Sequence, residues 1–280
     1  MGGLRENAVC LTRTFLYARS LGIGMGIGGE MGLLGDFERI MDGGLRENTL
    51  YLVRGLPGSG KTAFCMTLMR EMLEGGKDCV YLTTELSPKS FTDHARHGFG
   101  WDFEPFEREG RLQFLDACSW KSGGGGAGAL DASDLMTMSH ELGRLLSDVN
   151  ERKRGKFFLF FDSVTSLLLY NPVEVVVKFL QVLATRMRET GNPDLPGIFT
   201  LEEGVHDEKV MNALSFFMDG IFETRLVPVD ADFRREFRVT ALKTATHRMK
   251  WLPVKIDRSG FGFPDEAFKE AVEWYPRKTL

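Results

Sequence analysis

Gly55-Leu56-Pro57-Gly58-Ser59-Gly60-Lys61-Thr62 stands between a strand-like run, Leu50–Arg54, and a stretch with apolar residues at helical spacing (Phe64, Leu68, Met72) that stops at Gly75-Gly76. The octapeptide fits G-x-x-x-x-G-K-[ST], and strand before, helix after is the context that gives the pattern meaning. Glycines let successive backbone N–H groups turn toward one point and cradle anionic oxygens. The helix adds its positive N-terminal end. The expected phosphate-binding residues are Gly55, Leu56, Pro57, Gly58, Ser59, Gly60, Lys61, Thr62 and Ala63. Lys61 is expected to reach the β- and γ-phosphates of ATP or ADP, and Thr62 to offer its hydroxyl to Mg²⁺.

Such a loop needs a carboxylate near the magnesium and a group that orients water. Phe157–Phe161 is an apolar strand closing on Asp162, placed where strand ends meet ligands in open α/β sheets. Asp162 is the expected magnesium partner, in part through water. Val80-Tyr81-Leu82-Thr83-Thr84 closes on Glu85 after the loop's helix, which makes Glu85 the expected base for hydrolysis. The competing readings are a helix cap for Asp162 and an N-cap-region acid before Ser87-Pro88 for Glu85.

Further out, strands alternate with helices. Strands are expected at Cys79–Thr83, Leu112–Leu115, Lys156–Phe161, Gly197–Leu201, Gly220–Leu226, Phe237–Leu242 and Leu252–Ile256. Helices are expected at Asp134–Val149, Val173–Arg188 and Asp265–Tyr275, with a glycine linker at Ser122–Gly128. This order predicts an α/β fold, a mostly parallel central sheet flanked by helices, with antiparallel strands added at one edge. Three divisions are expected: a Gly-rich N-terminal extension (1–32), a core (33–263) and a C-terminal tail helix (264–280). The extension contains Gly2-Gly3-Leu4-Arg5-Glu6-Asn7, which recurs as Gly43-Gly44-Leu45-Arg46-Glu47-Asn48 without a second phosphate loop.

The 280 residues carry 35 Lys+Arg and 39 Asp+Glu, a net charge of −4, which argues against a generally basic nucleic-acid binder. No apolar run approaches the ~20 residues of a membrane span. Four cysteines without CxxC pairing argue against a zinc site or disulfide framework, and no secretory signal is read, so the expectation is cytoplasmic.

The chain then resembles the KaiC branch of RecA-like P-loop ATPases over about residues 33–262. Phe37-Glu38-Arg39-Ile40-Met41-Asp42-Gly43-Gly44-Leu45 is similar to that branch's lead-in, with Glu38 where Asp is usual. Thr83-Thr84-Glu85-Leu86 resembles the strand end that carries a Glu-Glu pair, Leu86 replacing the second. Phe161-Asp162-Ser163-Val164-Thr165 resembles the second nucleotide motif, and Asp219-Gly220-Ile221 the family's D-G-[IV]. The segment that contacts a neighbouring subunit's nucleotide reads Leu242-Lys243-Thr244-Ala245-Thr246-His247-Arg248, which matches Lys243 and His247 at a shorter spacing and lacks the family's Arg at its place. The resemblance implies a RecA-like fold and a homo-oligomeric, hexameric ring that binds and hydrolyses ATP with Mg²⁺. Lys243 would then act catalytically beside Lys61 and Glu85, across the interface, in a signalling or regulatory role with an unidentified protein partner. The missing Arg and second Glu argue against fast turnover.

Two alternatives stay open: a RecA- or RadA-like DNA recombination or repair accessory, and a nucleotide-sensing scaffold with little hydrolysis. The loops that would face DNA, Ser163–Glu174 and Leu201–Met211, hold no Lys or Arg in the first and only Lys209 against Glu202, Glu203, Asp207 and Glu208 in the second, which disfavours DNA. The short basic runs Arg152–Arg154 and Arg234-Arg235 are read as solvated faces.

Overall fold

The structure, a computed structural model, describes residues 32–46, 48–122, 129–153, 157–189, 196–243, 245–264 and 268. In chain order the elements are α1 (Leu33–Ile40), β1 (Leu50–Gly55), α2 (Lys61–Glu74), β2 (Asp78–Thr83), α3 (Pro88–Phe99), α4 (Glu104–Arg108) and β3 (Leu112–Asp116). There follow α5 (Leu135–Lys153), β4 (Phe157–Asp162), α6 (Val164–Tyr170), α7 (Val173–Glu189), β5 (Gly197–Glu202) and α8 (Glu208–Phe217). Strands β6 (Gly220–Val229), β7 (Asp232–Leu242), β8 (Leu252–Asp257) and β9 (Gly260–Gly262) close the chain's described part.

One sheet runs through the molecule in the order β3-β2-β4-β5-β1-β6-β7-β8-β9. Strands β1 to β6 are mutually parallel, and β7, β8 and β9 add antiparallel at one edge. This is the mostly parallel sheet with an antiparallel edge that the alternation predicted.

Burial explains why the central strands are apolar throughout. In β4, Phe158 and Phe160 enter the cluster under α1, α2 and α3, while Phe157, Leu159 and Phe161 enter the cluster under α5, α6 and α7. β1 divides likewise: Tyr51 and Val53 face one side, Leu50 and Leu52 the other. A strand covered on both faces has no position left for a solvent-loving side chain. On the first face, aromatic rings from distant segments knit the added edge to the parallel core: Phe222 of β6 stacks on Phe37 at 5.4 Å, Phe237 of β7 on Phe64 at 5.8 Å.

Several elements differ from expectation. β6 and β7 form a hairpin longer than the apolar patches at Gly220–Leu226 and Phe237–Leu242. Its outer half is polar, with Arg225 directly opposite Glu236 in the ladder and paired with it at 2.6 Å, so apolar alternation alone misses it. Helices α1, α3, α4, α6 and α8 and strand β9 are short or carry charges within their apolar faces, and were not among the expected elements. Helix α5 runs four residues past the expected end at Val149. The first copy of the repeat, the extension up to residue 31, the expected tail helix 265–275 apart from Phe268, and all of the glycine linker beyond Ser122 lie outside the described residues.

Candidate nucleotide site

The loop from Gly55 to Thr62 leaves the carboxyl end of β1, with β5 on one side and β6 on the other. Gly55 pairs with Glu202 across one ladder and with Thr224 across the other. A Cβ on Gly55 would meet the Thr224 carbonyl at 2.2 Å, so only glycine allows this approach. Gly60 has φ 109°, and a Cβ there would also strike Ile256 at 2.7 Å. Ser59 ties the loop to β6 by a 2.7 Å hydroxyl contact with Thr224. α2 opens at Lys61 immediately after Gly60, so its first N–H groups point into the loop.

Lys61 is 4% exposed. Its Nζ donates to the carbonyls of Gly55 (2.9 Å) and Leu56 (3.0 Å) and to Glu202 Oε2 (2.8 Å). Asp162 is 7% exposed and is the meeting point of three hydroxyls. Thr62 Oγ1 donates to its Oδ2 at 3.0 Å, the Tyr81 phenol donates to the same oxygen at 2.8 Å, and Thr200 donates to Oδ1. Burial pushes the Tyr81 phenol well above its ordinary pKa, so it remains a donor. Asp162 is therefore no helix cap: it stands beside Thr62, as the loop's chemistry requires. A hydroxyl and a carboxylate 3.0 Å apart are hard oxygen donors of the kind Mg²⁺ takes, with water and phosphate completing its shell. These residues fit the ion. Among the described residues no cluster of three or more His, Cys, Asp or Glu could hold a metal, and a P-loop magnesium site needs none.

Glu85 follows β2 beside Asp162, because Thr83 pairs with Asp162 and the Thr84 N–H donates to the Asp162 carbonyl at 2.9 Å. The Ser163 hydroxyl donates to Glu85 Oε1, and Ser163 in turn is held by Thr84, whose Oγ1 lies 2.8 Å from both its N and its O. Desolvation by these buried neighbours raises the Glu85 pKa, although its own side chain is exposed; the Ser163 hydroxyl works against the rise. The N-cap of α3 is Ser87, accepting from the Ser90 N–H at 3.1 Å, so Glu85 is left without a capping role.

Lys243 is elsewhere. Its N–H donates to Asp219, whose own N–H donates to Leu50 at the start of β1, whereas the phosphate loop leaves β1 at its other end. Its Nζ donates to the Phe216 carbonyl at 2.9 Å. The structure does not bring it to the loop of its own chain. Asp219 itself is structural: it accepts from the Leu50 N–H at 3.0 Å and pairs with Arg188 at 2.9 Å. His247 lies on the segment beside α1, bridged to Met41.

A cleft of about 290 Å³, at the low end of ligand-pocket size, opens over Gly58, Gly60, Lys61, Thr62 and Ala63, with Glu202, Arg235 and Ile256 on its walls. Arg235 Nε donates to the Gly58 carbonyl at 3.1 Å. Glu202, Thr200, Tyr81, Arg235 and Ile256 were not among the expected site residues. For Thr200 and Glu202 the one signal is topological: β5 flanks β1 and delivers its carboxyl end to the loop.

A family model described as a KaiC ATPase matches residues 33–265. The UPF0273 protein PH0284 of Pyrococcus horikoshii is 26% identical over 243 residues, covering 83% of this chain and 92% of that protein. The circadian clock protein KaiC3 of Synechocystis is 28% identical over 232 residues, covering 81% of this chain but 43% of that longer protein. The crystal structure of the KaiC-like protein PH0186 from Pyrococcus horikoshii superposes with a TM-score of 0.66 at 22% identity, over 81% of this chain and 94% of that one, a likeness of fold.

Proposed function

We propose, for a chain that belongs to the KaiC family of ATPases, that the cleft over Gly55–Ala63 binds ATP and ADP with Mg²⁺ and that the protein hydrolyses ATP at a slow rate. The observation that carries this reading is the convergence of Lys61, Thr62 and Asp162 at the end of β1, with Thr62 and Asp162 in direct contact. In this reading the loop's N–H groups and Lys61 bind the phosphates. Thr62 and Asp162 hold the magnesium ion, which when bound neutralises phosphate charge. Glu85 takes the proton of the attacking water, and its raised pKa brings it nearer a working pH. Ser163 holds that carboxyl in place.

The ring belongs to the same proposal. Lys243, remote from its own chain's loop, is available to a neighbour's nucleotide in a closed homo-oligomer, hexameric by family resemblance. We place the ring in the cytoplasm as a signalling or regulatory module with an unidentified protein partner.

The test is a calorimetric titration with Mg-ATP. Replacing Lys61 with Ala removes a charge-assisted contact worth about 1.5–3 kcal/mol, so affinity is expected to fall at least tenfold. Unchanged affinity in a folded Lys61→Ala variant rejects the site.

A further inference from the structure

An ammonium group has three N–H donors. In this structure all three Lys61 donors are taken, two by backbone carbonyls and one by Glu202 Oε2 at 2.8 Å. We infer that Glu202 occupies the phosphate position on Lys61, as an internal stand-in anion that a nucleotide must displace in order to bind. This rests on the reading of the cleft as a nucleotide site, and it assigns Glu202 as a residue that sets the affinity of that site.

Of the three acceptors, only the carboxylate is free to leave. The Gly55 and Leu56 carbonyls belong to a loop fixed by β1 and by the glycine contacts described above. The backbone of Glu202 is fixed as well: its N–H donates to Thr165 Oγ1 at 2.8 Å, and the next N–H, of Glu203, donates to the Gly55 carbonyl at 3.0 Å. The motion required is thus a change of side-chain rotamer, without movement of β5. Glu202 borders the open cleft, so its carboxylate has solvent to turn into.

Charge makes the displacement obligatory. Lys61 is buried and the Glu202 side chain is only 18% exposed, so water screens the pair little. A phosphate oxygen and a carboxylate competing for one ammonium in such a place repel each other. Every phosphorylated ligand therefore meets Glu202 first, and a ligand without phosphate does not. The neighbouring acid has another partner: the Glu203 side chain pairs with Arg54 at 3.4 Å and makes no hydrogen bond to Lys61, whose three donors are accounted for.

The experiment compares wild type, Glu202→Gln and Glu203→Gln by calorimetric titration with Mg-ATP and Mg-ADP, together with thermal unfolding of each ligand-free protein. Glutamine keeps shape and a hydrogen-bond acceptor but removes the competing charge. Glu202→Gln is expected to bind both nucleotides at least tenfold tighter while its ligand-free form melts at a lower temperature than wild type. Glu203→Gln is expected to bind as wild type does. Opposite signs of the two effects distinguish a displaced stand-in from a merely structural pair, whose loss lowers both. Nucleotide binding by Glu202→Gln alone, with none by wild type, also supports the inference. Affinity unchanged or weaker in Glu202→Gln, with wild type binding normally, overturns it and leaves the nucleotide site standing. Absence of binding by wild type and Glu202→Gln alike overturns the site and the inference together. If Glu202→Gln does not fold, Glu202→Asp withdraws the carboxylate by one methylene and carries the test with the same expected sign.

Discussion

Ser163 gives its hydroxyl to Glu85, and this one contact fixes how hydrolysis should depend on pH. In the proposed role of base, Glu85 works only as a carboxylate. Burial raises its pKa, and the Ser163 donor holds it down because the bond favours the charged form. Rate should therefore rise with pH through the Glu85 pKa, along an acid limb above the ordinary glutamate value. Ser163→Ala removes the donor and lets the pKa climb further. The limb is expected to shift to higher pH in Ser163→Ala, with the two proteins converging on the alkaline side; a pH profile of phosphate release at saturating Mg-ATP measures it. A limb that stays in place shows that Ser163 does not tune Glu85. At this scale Lys61, Thr62, Asp162 and Glu85 were legible because each ends a strand or sits in a spaced motif. Thr200 and Tyr81 were not. Thr and Tyr are ordinary strand residues, and only the sheet order, with β4 between β2 and β5, reveals that both reach Asp162.

Among the elements, legibility followed the source of each one's stability. β4 and α2 announce themselves through their own composition. Helix α1 does not: Gly32 at its N-cap offers no side chain, and the acceptor comes from Glu71, far along the chain, which takes the N–H groups of Leu33 (2.7 Å) and Leu34 (2.9 Å). A Cβ on Gly32 would lie 2.5 Å from that carboxylate, so a side chain there would have to displace the cap. A cap supplied from another helix leaves no local signature. Removing it with Glu71→Ala should cost about 0.5–2 kcal/mol, the range for a lost N-cap. The expected outcome is a lower melting temperature, with faster hydrogen exchange at the first turn of α1 and little change in β1. Protection at Leu33 and Leu34 equal to wild type would show that the phenylalanine cluster alone holds the helix. The β6–β7 hairpin makes the same point for strands. Its outer half rests on the Arg225–Glu236 pair, whose partners lie eleven residues apart, beyond the reach of alternation.

For the whole molecule, the −4 charge and the two-faced sheet were readable, but the fate of the surface cations was not. Arg234 and Arg235 look like a basic patch in the sequence. In the fold Arg234 pairs with Glu236 at 2.6 Å and Arg235 donates to the Gly58 carbonyl of the phosphate loop. Arg225 and Arg238 are likewise occupied by Glu236 and Glu223 and lie against Trp251 at 3.8 and 4.3 Å. A guanidinium already paired with a carboxylate releases few counterions from DNA, and counterion release is what drives such binding. The segments that a ring would turn toward its centre add one cation between them: α6 and its flanks carry none, and Leu201–Met211 sets Lys209 against four acids. The expected outcome is no binding of single-stranded DNA tighter than the ~10⁻⁴–10⁻⁶ M non-specific range at physiological salt, and no stimulation of ATP hydrolysis by DNA. Fluorescence anisotropy at two salt concentrations measures it, on a sample whose mass by light scattering in Mg-ATP shows several subunits; the mass of a single chain removes the ring. Sub-micromolar binding with a steep salt slope, lost on neutralising Arg152, Lys153 and Arg154, transfers the chain to the recombination-accessory reading, because that run is then the cationic surface which the paired arginines of β6 and β7 do not supply.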